Sequence, residues 1–222
     1  MKPFFVAATL ALGLCSCSES SPVVQILQTI QPDEECDFTA EDPGLANGSL
    51  NLAYRNAYVL GLIVKSSYAV APIEVNGAPL DPDSDVGGSA TAFVDTLKLS
   101  YEATTNSGSS INVPSGEVPY TAALNPSSDD NRFVVNLMTS EAAAALRDAL
   151  SGTTTAQVRV TLQLTGKFAA SGKKFESNEV VFGLDVADTA VALRACNPGE
   201  VPTVEGPCGS GAGQDNIYPT CQ

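Results

Sequence analysis

Short stretches in which apolar and polar residues alternate, clusters of Gly, Pro, Asn, Asp and Ser between them, and a single helix-favouring run predict a mainly β fold. Seven or eight short strands, turn signals between them and one helix fit an immunoglobulin-like antiparallel β-sandwich with one short crossover helix. An up-and-down β-barrel is the alternative arrangement.

The chain opens with a targeting segment that is excluded from the fold. Lys2 supplies a positive charge, and Phe4 to Leu14 form an apolar core too short to cross a bilayer as a stable helix. Leu14-Cys15-Ser16-Cys17 follows directly. This run resembles the signal of bacterial lipoproteins, in which an aliphatic residue and two mostly small ones precede a cysteine that receives a diacylglyceryl group before cleavage. The resemblance implies lipidation of Cys17 and removal of residues 1–16. Cys15 is the competing acceptor, but it would put Leu14 beside the cut, where the peptidase of this family takes a small side chain. An ordinary signal peptide cut near Ser16 or Ser18 is the other reading. Ser18, with no aspartate in its place, implies sorting to the outer membrane, and several acyl chains would anchor the protein there, each buried methylene contributing about 0.8 kcal/mol.

Residues 17–48 read as an acidic tether. Seven acids and no base lie between Cys17 and Ser49, around a brief apolar patch at Val23, Val24, Ile26, Leu27 and Ile30 that could form a short helix or pack on the domain. The whole chain carries 25 acids against 11 bases. Much of that excess is in the flanks, which would repel an anionic membrane and hold the domain away from it. Nucleic acid is excluded as a partner, because phosphate contact needs clustered Lys and Arg and only Lys173-Lys174 is adjacent.

Residues 49–195 carry the sandwich. Tyr58, Leu60, Leu62 and Val64 share one face of a strand while Ala57, Val59, Gly61 and Ile63 leave the other face apolar, so this strand is central and covered on both sides. Asn76 to Ala90 is a loop by composition. Leu97, Leu99 and Tyr101 form the buried face of the next strand, and Phe133, Val135 and Leu137 repeat the pattern after loops at 106–116 and 125–131. Thr139 is a helix cap, Glu141 complements the first turn, and Ala143, Leu146 and Leu150 form an apolar stripe before Gly152. A helix between two strand regions suits a crossover from one sheet to the other. Val158, Val160, Leu162 and Leu164 then pair with Val180, Phe182, Leu184 and Val186 in a long hairpin, in register if its loop is the odd-numbered Ser171-Gly172-Lys173.

Residues 196–222 form a cysteine-bearing tail. Cys36, Cys196, Cys208 and Cys221, an even number in an exported chain, imply two disulfides. Pairing Cys36 with Cys196 and Cys208 with Cys221 would clamp the entry and exit of the domain and close a local loop. Zinc is disfavoured by the lack of a Cys-x-x-Cys pair and of any histidine.

The chain as a whole resembles uncharacterised lipoproteins of myxobacteria and related deltaproteobacteria. The likeness rests on Tyr58-Val59-Leu60-Gly61-Leu62-Ile63-Val64, the helix before Val158-Arg159-Val160, the Glu176-Ser177-Asn178 element, and a tail with Pro207-Cys208 and Gly213-Gln214-Asp215. Its motifs are structural, and no activity comes with it.

The absence of histidine removes Ser-His-Asp and Cys-His chemistry and His-ligated metals. Ser171-Gly172-Lys173-Lys174 matches Ser-x-x-Lys but occupies a hairpin rather than the helix that motif needs. Asp129-Asp130, Glu176 and Glu179 read as solvated acids near turns and strand ends. Gly209-Ser210-Gly211-Ala212-Gly213 is a loop between cysteines, without the strand and helix of a phosphate cradle. Asp81, Asp83 and Asp85 alternate in a loop as the first ligands of an EF-hand do, which makes them the candidate calcium site, although Val86 stands in place of its glycine and Ala92 in place of its glutamate. These observations point to a non-catalytic envelope module that binds a protein or polysaccharide or serves a structural role, with a calcium-dependent adhesin or glycan-binding lipoprotein as the alternative, and no cofactor unless calcium.

Overall fold

The computed structural model describes residues 21–68, 73–75, 78–80, 92–150, 154–169, 171–209 and 211–222. The leader, Cys17 and the Asp81, Asp83 and Asp85 loop lie outside the described residues. The elements in chain order are β1 (Val24–Ile30), β2 (Asn47–Asn51), β3 (Val59–Ser66), β4 (Ile73–Val75), β5 (Ala78–Leu80), β6 (Ala92–Thr105), β7 (Ser110–Ile111), β8 (Gly116–Leu124), β9 (Ser128–Asn136), α1 (Ser140–Ala149), β10 (Thr155–Phe168), β11 (Lys174–Glu176), β12 (Val180–Ala187), β13 (Pro202–Thr203) and β14 (Thr220–Cys221).

Two sheets face each other. One runs β1-β3-β9 and the other β2-β12-β10-β6, with β7 and β8 both pairing β6. The order matches the immunoglobulin division of strands, and the sheets do not close into a barrel. Every main pair is antiparallel except β2 with β12. The alternating residues meet between the sheets: Leu60, Leu62 and Val64 from β3, Leu97 and Leu99 from β6, Phe133 and Val135 from β9, Val158 to Leu164 from β10, and Phe182 to Val186 from β12. Among the described residues no helix is long and apolar enough to cross a membrane.

The central strand is covered on both faces, as its composition requires. Ile63, behind the main core, packs with Ile30 and Phe38 in a second apolar cluster. Phe38 lies flat over Gly61, where an added Cβ would fall 2.9 Å from its ring. Helix α1 carries the chain from β9 in one sheet to β10 in the other. Thr139 Oγ1 caps it by accepting from Ala142 N at 3.1 Å, and Ala143, Leu146 and Leu150 are buried beneath it. Tyr101 fixes the crossover by donating its hydroxyl to Leu137 O at 3.1 Å and accepting from Thr139 N at 3.2 Å.

Three expectations need correction. First, Val24 to Ile30 is strand β1, paired with β3, so much of the expected tether is part of the sandwich. A bulge at Leu27 breaks the alternation: Val24 and Ile26 point into the main core, whereas Ile30, past the bulge, points to the opposite face over Gly61. Only Glu19 among the acids lies between Cys17 and β1. Second, the disulfides are Cys36–Cys208 and Cys196–Cys221. The segment after β1 folds back beside residues 207–209, where Cys208 N donates to Asp33 O at 2.7 Å, while β13 pairs with β14 and brings Cys221 to Cys196. Third, the long hairpin closes tightly, with Phe168 and Lys173 hydrogen-bonded at 2.9 Å, so β11 pairs β10 one residue out of step with β12. The slip is absorbed at Ser177-Asn178, where Ser177 Oγ accepts from Leu164 N and donates to Asn178 O.

Candidate binding surface

The outer face of the larger sheet is built from the polar half of each alternating strand. On β10, Arg159, Thr161, Gln163, Thr165 and Lys167 point away from the core, opposite Glu102, Ser100, Lys98, Thr96 and Phe93 of β6. Thr, Gln and Lys suit this position because they tolerate extended backbone while keeping their polar ends in water. Two depressions lie side by side on this face. One, of 330 Å³, is lined by Lys98, Ser100, Glu117, Thr161, Gln163 and Glu179 among others. The second, of 320 Å³, includes Asp95, Thr165, Lys167, Lys174 and Glu176, and shares Lys98 and Glu117 with the first.

Ion pairs cross the strands here. Lys98 Nζ lies 2.8 Å from Glu176, Lys167 Nζ 3.2 Å from Asp95 and Arg159 Nη1 3.0 Å from Glu102. All are exposed, so each adds little to stability and much to the hydrogen-bonding pattern offered to a partner. The hydrogen bond that Lys98 donates to Glu176 holds its ammonium above the ordinary range.

Asp95 owes its place to a bulge. It is the extra residue of β6 against β10, where Thr96 and Val94 pair the adjacent Thr165 and Gly166, whereas against β8 the extra residue falls on β8, between Pro119 and Ala122. Opposite it, Gly166 leaves room for the Phe93 carbonyl and the Phe175 ring, which an added Cβ would meet at 2.0 and 2.6 Å. The bulge leaves a trace in the sequence: Asp95 and Thr96 are adjacent polar residues, across which the buried apolar positions pass from even (Ala92, Val94) to odd (Leu97, Leu99, Tyr101).

The acids and motifs singled out in the sequence have local roles. Asp130 accepts both Nε and Nη2 of Arg132 at 2.9 Å, which lowers its pKa. Ser171 Oγ accepts from Lys173 N in the turn, leaving no lysine aimed at a serine nucleophile. Asp33, Asp37 and Asp42 cap turns by accepting from Asp37 N, Phe38 N and Thr39 N. Glu176 pairs Lys98, and Glu179 lines the first depression. In the glycine-rich tail, Gly206 and Gly211 pass so closely that an added Cβ on the first would lie 2.5 Å from the Cα of the second, a packing demand rather than a phosphate site.

Cys196, Glu200 and Cys221 are the one group of three metal-competent side chains among the described residues. Both sulfurs are in a disulfide, and the Glu200 carboxylate is taken by Arg194 and Asn197.

A buried polar network that sequence reasoning missed joins the tail to the sandwich. Gln214, fully buried, accepts from Val59 N and donates to Val59 O, both at 2.9 Å, completing the start of β3 as a strand would. Tyr58 donates to Asp215 Oδ2 at 3.0 Å, and Asp215 Oδ1 accepts from Ser49 N at 2.8 Å. Burial, reinforced by the Asp215 charge, pushes the Tyr58 phenol above its ordinary range. Asn51 Nδ2 donates to Thr189 O and Tyr218 Oη. These residues act as a structural lock. No family model, curated protein or solved structure matches the chain.

Proposed function

We propose that this protein is a lipid-anchored, non-catalytic module of the bacterial cell envelope that uses the outer face of its larger sheet to bind a polar, extended partner, a polysaccharide or a protein segment. The observation that carries the binding reading is the pair of adjoining depressions on one face of the sheet, which together offer hydroxyl, amide, ammonium and carboxylate groups. Two disulfides fit an oxidising compartment outside the cytosol, in keeping with the leader and with lipidation of Cys17, the outer membrane being the destination implied by Ser18.

Capture from envelope extracts tests the reading. The wild-type protein retains a specific protein or glycan, and the double variant Thr161→Arg/Gln163→Arg, which fills the first depression without touching the core, loses it. Equal recovery by both proteins removes the sheet face from consideration. Incorporation of labelled palmitate that disappears in Cys17→Ser tests the anchor separately.

A further inference from the structure

We infer that the end of the sandwich where β1 begins rests against the phospholipid surface that carries the acyl chains, with the lysine hairpin between β10 and β11 at the headgroups. The inference builds on lipidation of Cys17. Its first ground is covalent reach. Seven peptide units separate Cys17 from Val24, so the two Cα atoms are at most about 25 Å apart. Strand β6, with 14 residues, spans about 45 Å of the long axis at roughly 3.3 Å per residue. Setting the opposite end on the bilayer would lift Val24 farther from the surface than its link to Cys17 allows. The end at which β1 begins, or the flank beside it, is what remains to meet the membrane.

A chain of contacts defines that end. Ser67 N donates to Val23 O at 2.8 Å, Ser127 N donates to Tyr68 O at 3.1 Å, the Tyr68 ring stacks on Phe168 at 4.4 Å, and Phe168 N donates to Lys173 O. The turn at Lys173 and Lys174 therefore belongs to the same rim as the start of β1.

The chemistry of the rim is the second ground. Lys65 pairs across from Gln25, Lys167 lies beside Phe93, and Lys173 and Lys174 are exposed on the hairpin. Lys167 is engaged by Asp95, Asp130 by Arg132 and Glu176 by Lys98, Asp129 adds another acid, and the connection from β3 to β6 carries Glu74, Asp81, Asp83 and Asp85 in its sequence; Lys173 and Lys174 form no ion pair among the described residues. Val23 and Phe93, 42% and 46% exposed, supply apolar side chains at the same rim. Flexible lysines around exposed Val and Phe suit an interface where ammonium groups meet phosphates and apolar side chains enter the headgroup layer. The acids from Asp33 to Asp42 follow β1 in the chain, after it has run away from this rim, so they do not separate the anchor from the domain.

The chain has no tryptophan, so a single introduced one reports position without interference. Full-length lipidated protein is placed in vesicles of phosphatidylethanolamine and phosphatidylglycerol containing a dansyl-headgroup lipid. Energy transfer from Ser171→Trp is expected to exceed that from Ser107→Trp, at the opposite end, several-fold. Adding Lys173→Glu and Lys174→Glu to the first reporter is expected to reduce its transfer at least by half. Equal or reversed transfer from the two reporters, or no response to the lysine changes, overturns the inference. Intact mass separates the two levels: acylated protein with reversed transfer refutes this orientation alone, whereas protein without acyl groups refutes the anchor and the orientation together.

Discussion

Replacing Gln214 with alanine tests whether the C-terminal tail is an integral part of the fold. The amide makes two hydrogen bonds of 2.9 Å to the main chain of Val59, and Gln214 has no exposed surface. The substitution strands one backbone donor and one acceptor at the first residue of the central strand. Each unsatisfied group costs about 1–3 kcal/mol where water cannot reach it, which gives about 2–6 kcal/mol together. With a urea slope of about 2–3 kcal/mol/M, a central loss of about 4 kcal/mol lowers the unfolding midpoint by about 1.5 M. The assay is equilibrium urea unfolding followed by circular dichroism with both disulfides intact, and the control is Gln222→Ala. Gln222 is exposed and binds only Glu205 and the β13–β14 edge, so its loss should stay within about 0.5 kcal/mol of wild type. If Gln214→Ala falls in that same narrow range with an unchanged slope, the tail is an appendage and the lock described above is wrong.

Three further outcomes follow from the structure. A non-reducing peptide map should recover Cys36 with Cys208 and Cys196 with Cys221, and loop-closure entropy gives the long bridge, separated by 172 residues, an upper value of about 5 kcal/mol against about 3.5 for the short one, so the Cys36→Ser/Cys208→Ser variant should melt lower than Cys196→Ser/Cys221→Ser. Burial raises the pKa of Tyr58, Tyr101 and Tyr120, so above about pH 10 the unfolded chain releases phenolic protons that the native chain keeps, and stability falls as pH rises. Absorbance titration should therefore show fewer tyrosinates in native than in denatured protein, and superimposable curves would count against the buried hydroxyls. Finally, Asn178→Ala removes the side chain that accepts from Ile26 N at 2.7 Å and donates to Ile26 O at 3.1 Å, exposing the edge of β1. Concentration-dependent association in sedimentation velocity is the expected result, and a strictly monomeric variant would show that the edge needs no such cover.

The strands and helix were legible because their signals are local. Val158 to Leu164 and Val180 to Val186 alternate without interruption, and Thr139 with Glu141 marks a helix start that the structure reproduces. Strand β1 was not legible, since the bulge at Leu27 breaks its period within seven residues and the acids after it suggest a solvated linker. The cysteine pairing was out of reach for a different reason. It depends on residues 31–45 folding over the outer face of β3 to cover Ile63, and on Gln214 and Asp215 returning the tail to β2 and β3, neither of which has a periodic signature. The binding face was half legible: its polar residues are the complement of the core pattern, but the depressions depend on the bulge at Asp95 and the slip at Ser177-Asn178.

The same irregularities also cover edges of the two sheets. An edge strand with free main-chain groups invites another chain, and β1 is the edge of the three-stranded sheet. Asn178 occupies Ile26, and beyond the bulge Leu45 N takes Thr29 O at 2.7 Å while Gly44 bridges Ile30. On the other sheet, Pro119 interrupts β8, and the edge of β2 is held by the tail through Asn51 N to Gly213 O and Asp215 N to Ser49 O. The edges of β1 and β2 are thus closed by segments outside the alternating strands, while that of β8 is interrupted by its own proline. If these segments serve to cap edges, removing the tail should do more than lower stability: it should uncover β2 and promote association between chains.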